Sequence, residues 1–166
     1  MTAPDTNAPL PESAQRVADH LRTLGYEKAI VMLPATGKTS AEAAAGLGCS
    51  VAEIAKSIIF RRAKDDVPVL VIASGTNRVD EAKVSAHVGA LAKADAKFVR
   101  EKTGYAIGGV CPVGHAVKPV MLLDQDLFQY ASVWAAAGHP HAVFNLTPAE
   151  LEAMTGAPVA DIALRD

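Results

Sequence analysis

The chain has 166 residues, of which 50% are hydrophobic and 20% are charged, and its formal net charge at pH 7 is −2. This length and composition predict one domain with a buried core and exclude a disordered chain. The nearly balanced charge excludes a generally basic packing protein, so any contact with nucleic acid needs a local basic patch. The two cysteines, Cys49 and Cys111, are too few for a disulfide framework and indicate a reducing, cytoplasmic compartment.

The N-terminal segment is polar and lacks the basic start and apolar run of a secretory signal. The longest apolar runs, such as residues 67–73, fall well short of the ~20 residues that a membrane helix needs. We therefore expect neither a secreted nor a membrane protein. Residues 1–12, which contain three prolines, predict a flexible tail, and residues 13–166 predict the folded domain.

The first half of the domain predicts three helices and three strands. Ser13 is the expected cap of a first helix that Gly25 ends, and a strand at 29–33, a turn at 34–37 and a helix at 41–47 follow. Ser50 and Glu53 form a capping-box pattern, which predicts a short helix that ends near Lys56, before a strand at 57–60. Residues 67–73 are apolar on both faces and predict a central strand.

The second half continues with helices at 80–88 and 95–102, and with a strand-like run at 105–110 before a loop at 111–115. Strands are predicted at 119–123, 132–136 and 142–146, with the last two paired as a hairpin. Thr147, Pro148 and Glu150 predict a capped final helix that runs to Met154. Because helices and strands do not alternate strictly, we expect a single α/β domain (mixed α+β) with a central mixed sheet flanked by helices.

Several residue groups could carry chemistry. The glycines of the segment 108–112 (GGVCP) let a backbone approach a ligand and direct N–H groups at an oxyanion, although a tight turn is the more frequent reason for such a pattern. Lys56 has apolar neighbours and could hold a phosphate or carboxylate, or simply complement a helix end. Neither a dinucleotide-binding nor a P-loop glycine pattern occurs.

Cys111 could be a nucleophile with a nearby histidine as its base, but it lacks a local catalytic signature and a buried structural thiol is more common. His139 and His141 could supply two metal ligands, but no third and fourth donor stands at a recognisable spacing, so no metal site is predicted. A role for the two histidines in hydrogen bonding at a pocket mouth stays open.

Basic residues are concentrated between positions 83 and 102. On two neighbouring helices they could form a face for a phosphate backbone, or they could belong to solvated surfaces with interspersed acidic residues. The candidate nucleic-acid-binding residues in this stretch are Lys83, Lys93, Lys97, Arg100 and Lys102.

Five segments in order resemble one known family. They are residues 40–48 (SAEAAAGLG), 54–60 (IAKSIIF), 69–73 (VLVIA), 103–114 (TGYAIGGVCPVG) and 144–148 (FNLTP). This arrangement resembles the YbaK/EbsC family, the free-standing relatives of the editing domain in bacterial prolyl-tRNA synthetases. The resemblance extends from about residue 13 to the C-terminus.

The resemblance implies a cytoplasmic aminoacyl-tRNA deacylase that hydrolyses the ester of mischarged tRNA without a metal or cofactor, with tRNA and possibly a synthetase as partners. Lys56 matches the family's active-site lysine, and Gly108 and Pro112 match the ends of its Gly-x-x-x-Pro loop. In the family, that loop is thought to bind the aminoacyl group through its backbone while a tRNA hydroxyl assists the attacking water. The expected catalytic residues are Lys56 and Gly108. The expected substrate-binding residues are Gly109, Val110, Cys111, Pro112, Ala136, His139 and His141.

One departure from the family bears on the substrate. Members that clear cysteine from tRNA-Pro carry a serine before the final hairpin strand, and Ala136 stands there in this chain. We therefore expect clearance of a small aliphatic or hydroxy amino acid rather than cysteine, and the His-Pro pair after Ala136 resembles members that act on alanine or other small aliphatic residues. The alternative is a tRNA- or aminoacyl-binding module without catalysis, associated with a synthetase.

Overall fold

The computed structural model describes residues 9–34 and 39–165. Most of the predicted N-terminal tail and the turn predicted at 34–37, apart from Pro34, lie outside these ranges. The helices are α1 (Glu12–Thr23), α2 (Ser40–Leu47), α3 (Glu81–Val88), α4 (Ala96–Thr103) and α5 (Pro148–Thr155), with 3-10 turns at Val51–Glu53 and Gln125–Gln129. The strands are β1 (Val31–Met32), β2 (Ile54–Arg62), β3 (Pro68–Ser74), β4 (Leu91–Ala92), β5 (Val120–Asp124), β6 (Val133–Ala136), β7 (Ala142–Leu146) and β8 (Val159–Ala160).

Within the described residues, the eight strands form one mixed sheet in the order β1-β7-β6-β2-β3-β5-β8, and β4 pairs with the end of β2. Neighbours β2 and β3 are antiparallel, whereas β2 with β6 and β3 with β5 are parallel. All seven residues of β3 are buried, which confirms the predicted central strand. The predicted hairpin of β6 and β7 and the predicted mixed α/β fold are also confirmed.

Helices cover both faces of the sheet. On one face, buried residues of α1, α4 and α5, among them Leu21, Val99 and Leu151, pack against β3 and β5. On the other face, α2 packs over β1, β7 and the start of β2, and α3 packs over β3 and β5. Because side chains alternate along a strand, Lys56 lies on this second face with Ile54, and it is paired with Ala73 of β3. Lys56 therefore lies between the apolar residues that pack against α2 and those that pack against α3.

Three predictions for the first half of the chain were wrong. Helix α1 begins at Glu12 after Pro11, which has no side-chain cap, rather than at a Ser13 cap. The Ser50 segment forms only a single 3-10 turn, although the Ser50 amide does donate to the Glu53 carboxylate at 2.9 Å. Strand β2 starts at Ile54, directly after that turn, because its β-branched run pairs with β3 from Ala55 onward. Lys56 is therefore a strand residue.

The apolar run at 105–110 is a loop, not a strand. The preceding Gly104 and the internal Gly108 both have positive φ, at 82° and 90°, which interrupts an extended conformation. The hydroxyl of Thr103 accepts from the Tyr105 amide, and the hydroxyl of Tyr105 donates to the Val113 carbonyl at 2.8 Å. These local bonds replace the ladder bonds of a strand.

Candidate active site

A cleft opens where two parallel strands diverge. Strand β6 pairs with β2 only at Ile54 and Ala55, and on that side β2 next pairs with β4 at Arg61. Among the described residues, the stretch 56–60 thus has a sheet partner only on its β3 side. The gap holds a cleft of about 150 Å³. The described residues that line it are Thr39, Ser40, Ala43, Ile54, Ala55, Lys56, Ser57, Gly108, Val110, Trp134, Ala136, Pro140, Ala142 and Val143.

The size and lining of this cleft favour a small, partly apolar group. A cavity of about 150 Å³ holds a benzene-sized molecule, and in this cleft the same space must hold the amino group and carbonyl as well, so it suits an amino acid with a short side chain. Most of the described lining residues are apolar, and Lys56 is the one charged side chain among them. None of the described lining residues is an aspartate, glutamate, histidine or cysteine, so Lys56 is the one titratable side chain among them.

Lys56 is half-buried, and its ammonium lies 3.4 Å from the carbonyl oxygen of Gly75. Burial lowers the pKa of the Lys56 amine, and the negative charge of Asp124 partly opposes this effect. The N-terminus of α2 borders the same cleft through Thr39 and Ser40. A cationic amine and a helix N-terminus together favour a negatively charged or electron-rich ligand.

The loop 108–112 is divided between the cleft and the core. Gly108 and Val110 line the cleft, and among the described residues no acceptor takes a hydrogen bond from either amide. The amide of Gly109 donates to Ala106 at 2.9 Å and is already used. A Cβ atom at Gly109 would lie 2.9 Å from the backbone nitrogen of His139, so glycine is needed for the loop to pack against the β6–β7 hairpin.

Two of the expected binding residues lie away from the cleft. Pro112 lines a separate cavity beside His115 and Met121. Cys111 is fully buried in the core, and burial raises the pKa of its thiol to about 12. A thiol that is neither deprotonated nor accessible is a poor nucleophile, which removes the physical basis for the alternative of a thiol enzyme.

This burial predicts selective labelling of the two cysteines. Iodoacetamide at pH 8 should modify Cys49, which is partly exposed, and should leave Cys111 unmodified until the chain is unfolded. Mass spectrometry of native and denatured samples checks this expectation. Labelling of Cys111 in the native chain would contradict the burial described above, and Cys111→Ala serves as the control for assigning the modified site.

The two histidines flank the cleft without lining it. They stand on either side of Pro140, which does line it, and their ring centroids are 5.6 Å apart. The His141 amide donates to Nδ1 of His139 at 3.1 Å, while Nδ1 of His141 is buried without a partner. Burial and the neighbouring His141 lower the pKa of His139. In the described part of the chain, no group of three or more potential ligands is placed to hold a metal ion.

The candidate nucleic-acid-binding residues do not form one face, contrary to the two-helix hypothesis. Helices α3 and α4 pack on opposite faces of the sheet, which separates Lys83 from the others. The Lys83 ammonium also binds Asp161 at 2.9 Å and the Ala163 carbonyl at 2.7 Å. Lys93, Lys97, Arg100 and Lys102 remain near α4, where Lys97 lies 3.9 Å from Glu101 and Lys102 lies over the ring of Phe98.

Sequence reasoning missed two residues of the cleft. The hydroxyl of Ser57 is buried without a hydrogen-bond partner, so it is available to a ligand. Trp134, which is paired with Ile54 on the neighbouring strand, also lines the cleft and is the chain's single tryptophan. Ser57 could have been predicted from its position next to Lys56 in an otherwise apolar strand. Trp134 could have been predicted as the single tryptophan of the chain, on the first strand of the predicted hairpin.

Trp134 makes ligand binding directly observable. We expect its intrinsic fluorescence to change when the cleft takes up a non-hydrolysable aminoacyl-adenosine in which an amide replaces the ester, because the indole then leaves water. A titration followed by fluorescence and by calorimetry checks this. Binding seen by calorimetry with unchanged emission would place the ligand elsewhere. The Trp134→Phe chain, which has no tryptophan emission, is the control for the fluorescence signal.

Comparison with known proteins identifies the family of the chain. The family described as aminoacyl-tRNA editing domain matches residues 34–154, which include the cleft residues from Thr39 to Val143. The chain belongs to the aminoacyl-tRNA editing domain family. This confirms the resemblance read from the sequence motifs. The protein YwhH of Bacillus subtilis (strain 168), described as uncharacterized, is 34% identical over 140 residues, which cover 84% of this chain and 88% of that protein.

Two solved structures share the fold over nearly the whole chain. One, described as a candidate trans-editing enzyme for prolyl tRNA synthetase, is 45% identical with a TM-score of 0.90, covering 95% of this chain and 100% of that one. Another, hypothetical protein APE2540, is 31% identical with a TM-score of 0.82, covering 90% and 99%. In this editing-domain chain, none of the described helices has the length and apolar character needed to cross a bilayer.

Proposed function

We propose that this editing domain hydrolyses, in the cytoplasm, the ester bond of tRNA-Pro mischarged with a small amino acid. The observation that carries the proposal is a small apolar cleft with a single cation, Lys56, and two free amides, Gly108 and Val110, among its described residues. Such a site can hold an aminoacyl ester and stabilise the oxyanion that forms when water attacks the carbonyl. The related structure described as a candidate trans-editing enzyme for prolyl tRNA synthetase supports the choice of tRNA.

In this mechanism the amides of Gly108 and Val110 donate to the carbonyl oxygen of the ester as it becomes negative. Lys56, together with the N-terminus of α2, holds the phosphate or ribose oxygens of the terminal nucleotide. The attacking water gives its proton to a neighbouring hydroxyl of the tRNA, which passes its own proton to the ribose oxygen that leaves, since the described cleft side chains offer no carboxylate or imidazole. The water oxygen bonds to the carbonyl carbon, the ester C–O bond breaks, and free amino acid and tRNA leave.

The amino acid is selected by space. Ala136, Val110 and Trp134 leave room for a short side chain, and a pyrrolidine ring fills more of the cleft than a methyl or ethyl group does. A synthetase pocket separates substrates that differ by one methylene by only ~1–3 kcal/mol, so a second hydrolytic site of opposite size preference improves accuracy. Cys111, which lies in the core, takes no part in this selection.

The test is hydrolysis by the purified chain of tRNA-Pro carrying alanine, serine, threonine, cysteine, 2-aminobutyrate or proline. We expect rapid loss of one or a few small esters and preservation of the prolyl ester. The Lys56→Ala chain, purified in parallel, reveals any contaminating deacylase. Equal hydrolysis of the prolyl and small esters would contradict selection by space. If no ester is hydrolysed while tRNA still binds, the alternative of a non-catalytic binding module is supported instead.

A further inference from the structure

A buried carboxylate stands at the end of β5, two strands away from the cleft lysine. Asp124 is 0% exposed. One of its oxygens accepts from the Ser74 amide at 3.0 Å and from the side-chain amide of Asn77 at 2.8 Å, and the other accepts from the Asp126 amide at 2.9 Å. Burying a carboxylate is costly unless its charge is compensated, so a group with this burial needs an explanation.

No lysine, arginine or histidine in the described chain forms an ion pair with Asp124. Its neighbour Asp126 does pair with Arg165, at 3.2 Å, and is partly exposed. Three amide donors satisfy the oxygens of Asp124 but do not neutralise its charge. The negative charge of Asp124 therefore acts on a nearby cation that forms no direct ion pair with it.

The strand register identifies that cation as Lys56. Lys56 is paired with Ala73 on β3, and Ile72 is paired with Leu123 on β5, so Ala73 lies between Lys56 and Asp124. All three therefore belong to the same face of the sheet. Two strand spacings separate the backbones of Lys56 and Asp124 by about 10 Å. Among the described residues that line the cleft, no other ionisable group faces the lysine, and Asp126 beyond Asn77 is held by Arg165.

The same carboxylate also fixes a turn that contacts the lysine. Ser74 and Asn77, both donors to Asp124, are joined by a bond from the Asn77 amide to the Ser74 carbonyl at 2.9 Å. Between them stands Gly75, whose carbonyl oxygen faces the Lys56 ammonium at 3.4 Å. Asp124 thus anchors the turn that holds the amine in place.

We propose that Asp124 is the positioning residue of the site, a buried counter-charge that favours the protonated form of Lys56 and fixes the Gly75 carbonyl against it. It touches no substrate and acts through the lysine. The consequence for catalysis rests on the proposed deacylase function, but the effect on Lys56 does not. Burial lowers the pKa of Lys56, and Asp124 offsets part of that loss.

The test is a pH titration of the Lys56 side chain by NMR in chains labelled with ¹³C at lysine Cε, with the resonance assigned by its absence in Lys56→Met. In Asp124→Asn the pKa of Lys56 should fall by on the order of one unit, which is what Coulomb's law gives if the two charges are as far apart as the two backbones, about 10 Å, at an effective dielectric constant of about 20. The matched control, Asp126→Asn, removes a neighbouring charge that Arg165 already compensates and should shift Lys56 far less. An unchanged titration in a folded Asp124→Asn chain would overturn the proposal.

Because the side-chain NH2 of asparagine must face at least one of the N–H donors that point at the carboxylate, Asp124→Asn should cost stability, and a second neutral variant covers the case in which it does not fold. In Asp124→Ser the hydroxyl can still accept a hydrogen bond, and the pKa of Lys56 should fall by on the order of one unit there as well. An unchanged Lys56 titration in a folded Asp124→Ser chain would overturn the proposal.

Activity separates this proposal from the function it builds on. If the chain is a deacylase, the alkaline loss of its rate should begin at lower pH in Asp124→Asn, by the same shift as the amine titration, because a neutral amine no longer holds the substrate. A purely structural role would lower the rate equally at every pH and overturn the proposal. Absence of activity in the unsubstituted chain would refute the function, and the two NMR titrations would still decide the role of Asp124.

Discussion

Replacing Lys56 with alanine should lower kcat/KM for the mischarged ester by about 100-fold or more while leaving the fold intact. Lys56 holds the terminal nucleotide, and a misplacement of the reacting ester by about 1 Å can cost about 10²-fold in rate. The described cleft contains no second cation to take over the role. The stability of the chain should change by no more than about 1 kcal/mol, because the amine makes one long contact with a carbonyl and because the lost attraction to Asp124 is offset by relief of the amine's own unfavourable burial. Single-turnover hydrolysis and chemical denaturation measure the two effects.

Two further variants sharpen this test. Lys64→Ala removes a lysine from the exposed turn between β2 and β3, away from the cleft, and should leave the rate unchanged. Lys56→Arg retains the charge but replaces a compact ammonium with a planar fork in a cleft of about 150 Å³, and it should recover little activity. A Lys56→Ala chain with full activity would refute the role of the lysine. A chain that had lost both activity and structure would be uninformative, which is why the denaturation measurement accompanies the assay.

Local chemistry made much of the fold predictable from sequence. The final helix begins as expected, because the Thr147 hydroxyl accepts from the Glu150 amide at 3.0 Å and the Glu150 carboxylate accepts from the Thr147 amide at 2.9 Å. Strand β3 was recognisable because a strand buried on both faces is apolar throughout. The order of the motifs around Lys56 and Gly108 pointed to the family, and the cleft brings these two residues together.

Other features depend on contacts that sequence spacing does not contain. The cleft exists because β6 leaves β2 after two residue pairs, and no local signal marks that divergence. Within the loop, Val110 reaches the cleft and Cys111 the core, because neighbouring residues point in different directions. The role proposed for Asp124 could not be predicted from the sequence either. A charged residue at the end of an apolar strand usually caps the following turn, which Asp124 also does, and only the strand order brings it near Lys56.

The second large effect is structural: Gly75→Ala should destabilise the chain by roughly 1–3 kcal/mol, the usual cost of overpacking a filled site. A Cβ atom at this position would overlap the carbonyl oxygen of Val51 and lie 3.2 Å from the carbonyl carbon of the same residue. The backbone of the 3-10 turn is tied to the strand by the Ser74 hydroxyl, which donates to the Ala52 carbonyl at 2.6 Å, so neither side can move freely. Equilibrium unfolding in urea measures the loss.

The same substitution at Gly46 is the matched control, with the opposite expected sign. Gly46 lies within α2, its added Cβ would meet only the Leu33 side chain at 3.5 Å, and alanine favours a helix over glycine by up to about 1 kcal/mol. Gly46→Ala should therefore leave the chain as stable or more stable. Gly75→Ala should also reduce hydrolysis more than its stability loss explains, since the shifted turn carries the Gly75 carbonyl away from the Lys56 amine. A Gly75→Ala chain with unaltered stability would mean that the turn and the 3-10 segment are not in the close contact that positions the lysine.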